Sequence, residues 1–280
     1  MTPLIIALAL SAAVLHASWN ALAKTGSNPV FNIAAYQLVS TGLCIGFLPF
    51  VPLPHPESWP LLIASVIIHT FYYFSLARAY QSGDLSSVYP LLRGMAPILV
   101  AVGGMVFASE FLSTGGIVGV LVISVGIMSL TFSGARQSRM SSVALVWGST
   151  TAVLIASYTL VDGLGVRAAG NPLSYILWLF ALESIPVVTI LLLTQRAQWF
   201  DYLGKHRLQA LYGGAASTLA YGLVIYAMSL GAMAVVSSLR ETSVIFATLI
   251  GSLILKEPFG AHRLRAALIV ACGIVIMRLW

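Results

Sequence analysis

Apolar residues run on for roughly twenty positions at a time, and Gly, Pro and charge interrupt them only between runs. Continuous runs of that length predict helices that cross a bilayer, since a hydrocarbon core of about 30 Å needs roughly 20 residues rising 1.5 Å each. The pattern gives ten spans: 3–23, 30–50, 59–81, 85–107, 114–133, 141–162, 172–194, 208–230, 233–255 and 262–279. Strands of a membrane β-barrel alternate in polarity and are about half as long, so that architecture is excluded. The turns are short, as at Gly26-Ser27-Asn28-Pro29, Gln81-Ser82-Gly83-Asp84, Gly170-Asn171-Pro172 and Gly231-Ala232. Consecutive spans are therefore antiparallel neighbours.

The chain also repeats itself. Arg93, Glu110 and Gly126 recur 147 positions on as Arg240, Glu257 and Gly273. Tyr73, Ala79 and Gly83 match Tyr221, Ala227 and Gly231 at an offset of 148, and Asn28-Pro29 matches Asn171-Pro172 at 143. The offset drifts at turns, where insertions fall. Each half holds five spans, over residues 1–135 and 136–280. Five is odd, so the second half enters the bilayer from the opposite face. The expected fold is an all-α membrane protein of ten transmembrane helices, arranged as two inverted five-helix repeats.

Composition removes the competing classes. Of 280 residues 59% are hydrophobic and only 8% charged, with a mean hydropathy of +0.96, whereas a soluble domain carries about 25% charged residues. The net charge of +6 comes from 14 Lys and Arg scattered without a basic run, so nucleic acid is not a partner; the lipid bilayer is. Cys44 and Cys272 sit in apolar runs as small hydrophobes. The first run lacks the positive start of a secretory leader and carries His16, Trp19 and Asn20, so it counts as a span. Loops after odd-numbered spans hold Lys24, Arg136, Arg139, Arg196, Lys205, Arg207, Lys256, Arg263 and Arg265, against Arg167 and Arg278 on the other face. The positive-inside rule then puts both termini in the periplasm.

Two five-span halves, an aromatic late in the first and sixth spans (Trp19, Tyr158) and a Glu after the fourth and ninth (Glu110, Glu257) resemble the drug/metabolite transporter superfamily, specifically its EamA-type ten-helix carriers. The resemblance covers essentially the whole chain, and its motifs identify architecture better than substrate. It implies a secondary transporter of the inner (plasma) membrane, with spans 1–4 and 6–9 lining a central cavity and spans 5 and 10 outside. It also implies cytoplasmic termini, against the charge rule.

Charges inside the spans mark the candidate site, because each costs several kcal/mol to insert unless it serves a pathway or a pair. Arg93 and Arg240 lie about 12 Å and 10 Å into their spans from opposite faces, so both flank the midplane. A guanidinium offers a planar fork matched to carboxylate, phosphate or phosphonate oxygens. The competing reading is internal pairing, Arg93 with Glu183 or Glu241. Arg78, near a span end, snorkels to the headgroups. Glu183 and Glu241 are the embedded acids, able to meet an amine, an arginine or a proton. Glu183 has no charged neighbour in sequence and is the proton-coupling candidate. Glu241 adjoins Arg240, although successive helical residues point about 100° apart.

His16 and Asn20 lie on one stripe of the first span, His69 and Tyr73 on one of the third, and Tyr89 with Arg93 on the fourth. With Trp19, Tyr158 and Tyr221 they complete the expected wall of a substrate cavity. No metal-ligand spacing and no Walker A loop occur in the sequence, so no cofactor, metal or nucleotide is expected. A nucleophile–base motif and a repeated filter are likewise missing, which argues against an intramembrane enzyme or a channel. The small-residue faces Gly115/Gly119 and Ala267/Ala271 predict close packing of spans 5 and 10, with a homodimer through either as the second reading. The expectation is an alternating-access carrier of a small anionic or zwitterionic metabolite; the alternative is a proton-coupled exporter of lipophilic amines or drugs.

Overall fold

A computed structural model describes residues 2–23, 28–83, 85–132, 140–247 and 261–279. Among these residues the chain is helical throughout, with no strand. The helices are α1 (Pro3–Ala23), α2 (Pro29–Phe47), α3 (Trp59–Ser82), α4 (Leu85–Ala108), α5 (Thr114–Met128), α6 (Ser142–Ala168), α7 (Pro172–Thr194), α8 (Arg196–Lys205), α9 (Arg207–Leu230), α10 (Met233–Arg240) and α11 (Ala261–Leu279). Eight of them, α1 to α7 and α9, are long and apolar enough to cross a membrane.

Local chemistry sets the ends. Asn28 and Asn171 each accept hydrogen bonds from the backbone N–H groups two and three residues on, with Pro29 and Pro172 opening the helices. Ser113 and Ser141 cap α5 and α6, each accepting from the one N–H three residues on. Gly170, at φ 74°, makes the left-handed turn out of α6 that a side chain would resist.

Polarity is inverted relative to a soluble helix bundle. On α3, Ile63, Ile67, Phe71 and Phe74 face outward while Ser65 and His69 are buried. Burying polar groups while exposing large apolar ones is stable only where the surroundings are hydrocarbon. Inside the bundle α3 and α4 pack on α6, α1 packs on α9 and α10, and α2 lies between α7 and α9. α5 and α11 pack on one another. A Cβ on Gly119 would stand 2.9 Å from the Gly273 carbonyl oxygen, and one on Gly273 would stand 3.0 Å from that of Gly119. Gly115 and Gly119 are buried as expected, but α11 buries Ala266, Val270, Gly273 and Met277 rather than the Ala267/Ala271 face.

Three larger differences from the sequence expectation have physical reasons. The sixth span does not stop at 162 but runs on to Ala168, where Gly170-Asn171-Pro172 forces the turn. The loop before α9 contains α8, an amphipathic helix with Trp199 and Tyr202 buried under α2 and α7. The ninth span is broken: α10 ends at Arg240, residues 241–242 form a turn, and helix resumes at 243–247. Ser238 and Thr242 hydroxyls donate to the carbonyls of Ala234 and Leu239, and such local bonds compete with the helical ladder. The remainder of that predicted span, with Lys24, Arg136, Arg139, Lys256 and Glu257, lies outside the described residues.

One end of the bundle is tied shut. The α2–α3 connection carries Pro49, Pro52, Pro54 and Pro56, and it is pinned to the α6–α7 turn by His55 N to Ala169 O (3.1 Å) and Ser174 Oγ to Pro52 O (2.7 Å). Beside it Arg167 pairs with Glu110 at 2.6 Å and donates to the carbonyls of Met228 and Gly231. Glu110 also accepts from Met233 N at 2.8 Å. Arg167 is thus fixed in the last turn of α6.

Candidate functional site

The helix break after α10 turns the Glu241 side chain into the centre of the bundle, where two arginines meet it. Arg93 Nη1 reaches both Glu241 oxygens, at 3.2 and 3.3 Å, and Arg240 donates to Oε1 from Nε and Nη2 at 3.1 and 3.0 Å. The three side chains are buried, at 4%, 2% and 0% exposure for Arg93, Arg240 and Glu241. Arg93 Nη2 also contacts His16 Nε2 on α1, and its guanidinium lies 5.3 Å from the Tyr89 ring centre. Arg93 Nε is buried with no hydrogen-bond partner. Two guanidiniums around one carboxylate leave a net positive centre with a spare donor. That is the electrostatic requirement for holding an anion.

Next to it stands a second cluster around Glu183 of α7. Tyr73 donates to Glu183 Oε1 at 2.7 Å, and Gln37 Nε2 lies 3.4 Å from the same atom. His69 Nδ1 lies 3.0 Å from the Ser65 carbonyl and 3.1 Å from the Ser65 hydroxyl, with Nε2 on the far side of the ring. That Nε2 faces Glu183 Oε1 at 4.0 Å. The His69 ring stacks on Tyr158 at 4.1 Å, with Tyr72 and Tyr221 edge-on to it and Tyr73 tilted beside it. Tyr221 joins the two clusters, its ring centre lying 6.0 Å from the Arg240 guanidinium. Behind the aromatics, Asp162 of α6 accepts from Tyr175 at 3.0 Å and Tyr221 at 2.6 Å. Among the described residues no three His, Cys, Asp or Glu side chains converge as a metal site.

Residues 142–279 match the model of the EamA-like transporter family. The chain carries that family's domain in its second half. It is a membrane-transport protein of the drug/metabolite transporter superfamily. No curated protein matches it. Among the matching solved chains, the crystal structure of a protein superposes with a TM-score of 0.82 over 98% of this chain and 96% of its own. At 15% identity that likeness shows the fold alone.

In this EamA chain most of the residues expected at the site come together. Arg93, Arg240, Glu241, His16 and Tyr89 form the charged cluster, and His69, Tyr73, Tyr158, Tyr221 and Glu183 the aromatic one. Trp19 packs edge-on against His16 at 5.0 Å and against Tyr36, with its indole N–H unpartnered. Asn20 turns back to the His16 carbonyl of its own helix. Arg78 is exposed, over Phe74. Arg240 and Glu241 do meet, because the helix breaks between them and Thr242 and releases them from the 100° spacing. Four site residues were missed: Gln37, Tyr72, Tyr175 and Asp162. Asp162 was hidden by ending the sixth span on it; carrying the helix to the Gly-Asn-Pro stop puts a carboxylate six residues inside.

Proposed function

We propose that this chain is a ten-span, alternating-access secondary carrier of the inner membrane for a small anionic or zwitterionic metabolite. Amino-acid-like, carboxylate, phosphate and phosphonate compounds are the substrate class. The observation that carries this reading is the pair of buried arginines sharing one carboxylate, with Arg93 Nε unpartnered. Arg93 comes from the first half, 1–135, and Arg240 from the second, 136–280, so an anion between them would be held by both. The inverted repeat itself is supported by the packing: α3 on α6 has its counterpart in α9 on α1, and α3 on α7 in α9 on α2. Glu183 beside His69 suits a proton-coupling role, and Trp19, Tyr89, Tyr158 and Tyr221 suit the cavity wall. The family supports carriage of a solute rather than catalysis.

A second reading, export of lipophilic amines coupled to protons, is favoured by one feature, the carboxylate of Glu183 amid aromatic rings that would receive a cation. A thermal-shift screen of the purified protein against amino acids, phosphates, organophosphonates and cationic drugs separates the two. Under the first reading an anion or zwitterion stabilises the protein, Arg93→Ala abolishes that shift while the variant stays folded, and Arg93→Lys recovers it in part. Stabilisation by cationic drugs alone, unaffected by Arg93→Ala, favours the second.

A further inference from the structure

The buried core holds an uneven set of charges. Among the described residues, Asp162, Glu183 and Glu241 are buried acids, at 0%, 5% and 0% exposure, against the two guanidiniums of Arg93 and Arg240. Glu241 takes both guanidiniums, and Glu183 has His69 Nε2 facing it at 4.0 Å. The hydrogen bonds to Asp162 come from neutral hydroxyls, Ser65 on α3 among them. Tyr175 on α7 bonds Oδ1 and Tyr221 on α9 bonds Oδ2. Of the charged or titratable groups beyond these, His69 of α3 is close enough to act on Asp162 electrostatically and lies 5.8 Å from the Tyr221 ring, and Arg240 of α10 lies 6.0 Å from that ring. On α4, Arg93 is committed to Glu241 and His16.

An uncompensated charge is costly in such surroundings, and a proton on one of the acids removes it. The partners decide which acid accommodates one. A guanidinium can only donate, so it opposes protonation of the carboxylate it holds. A tyrosine hydroxyl donates to a carboxylate and equally accepts from a carboxylic acid, so Asp162 keeps both contacts in either state. We infer that Asp162 is a second protonation site of the carrier, distinct from the Glu183–His69 pair and linked to the arginine cluster through Tyr221. The inference builds on the proposed transport reading but does not need its substrate: the site titrates in the empty protein.

Infrared difference spectroscopy across a pH titration, on purified protein labelled with carbon-13 at the aspartate carboxyls, tests it. The expected result is a protonated-aspartate carbonyl band that Asp162→Asn removes and Glu183→Gln leaves in place. Should Asp162→Asn fail to fold, Tyr221→Phe and Tyr175→Phe serve instead, since each deletes one hydrogen bond to the acid and should shift the band. A labelled spectrum with no protonated-aspartate band, or with one unchanged by all three aspartate and tyrosine variants, overturns the proposal. Loss of ligand stabilisation in Arg93→Ala reads the substrate site separately, so either idea can fail alone.

Discussion

Replacing Glu241 by Gln tests how the two buried arginines are held. The substitution keeps the side chain's shape and removes the one carboxylate that, among the described residues, Arg93 and Arg240 touch, at 3.0 to 3.3 Å. Removing one partner of a buried ion pair costs about 3–5 kcal/mol, because the surviving charge stays in a poor solvent. Here two charges survive and also repel each other. Arg93→Met is the milder change: Arg240 still neutralises Glu241, so the loss is that of charged hydrogen bonds, about 1.5–3 kcal/mol. The double variant should cost less than the two single losses together, by about 0.5–3 kcal/mol, since deleting Arg93 relieves half of what Glu241→Gln exposes. In a detergent melting assay each kcal/mol is worth about 2–4 °C, so Glu241→Gln should lower the midpoint by on the order of 10 °C and the double variant should regain part of it. A Glu241→Gln protein that melts with or above the parent would refute the reasoning, because the arginines would then have another counter-charge.

Three further outcomes are expected. Glu183→Gln should remove pH-driven accumulation in proteoliposomes while leaving exchange of the anion found in the ligand screen; unchanged accumulation moves the coupling role to His69 or Asp162. Gly119→Leu should lower the melting midpoint by the equivalent of about 1–3 kcal/mol or more, since even its Cβ would sit 2.7 Å from Met277 Cβ and 2.9 Å from backbone; a neutral effect would mean that α5 and α11 separate freely. An alkaline-phosphatase fusion at the C-terminus should be active and a fluorescent-protein fusion dark, as the charge distribution of the loops requires; the opposite pair of results places the termini in the cytoplasm.

The sequence carried the helices far better than their interruptions. Apolar runs ended by Asn-Pro or Gly signal their own limits, which is why 172–194 agrees residue for residue with α7. The break at Glu241 has no Gly or Pro to announce it; it arises from hydroxyl groups bonding backward and from the pull of two arginines, one of them on another helix. α8 was illegible because 196–205 is too short and too charged to register as a span, and its order comes from Trp199 and Tyr202 docking on Phe31 and Ala34. Charged site residues other than Asp162 stood out against a hydrophobic background, whereas Gln37 and Tyr175 did not, because one amide or hydroxyl in an apolar run carries little signal until its partner is known. Pairing was beyond reach for the same reason. That Arg93 chooses Glu241 over Glu183 is decided by helix geometry, which a linear pattern does not contain.

The tied end of the bundle dictates where the molecule can part. Four prolines remove slack from the α2–α3 connection, and its two anchors on Ala169 and Ser174 fasten it to the α6–α7 turn. Those two hairpin tips form one stiff plate that belongs to both halves of the chain, so a seam cannot run between them. The bonds around Glu110 are different in kind: an ion pair, with Arg167 about one-third exposed, and hydrogen bonds to the open backbone of the α9–α10 turn, all of which water can replace. On an alternating-access cycle this end would therefore unzip along Glu110, swinging α4 and its loop away from α6 and α10 while the plate stays whole. The motion would be lopsided, a door hung on one jamb rather than two leaves opening together.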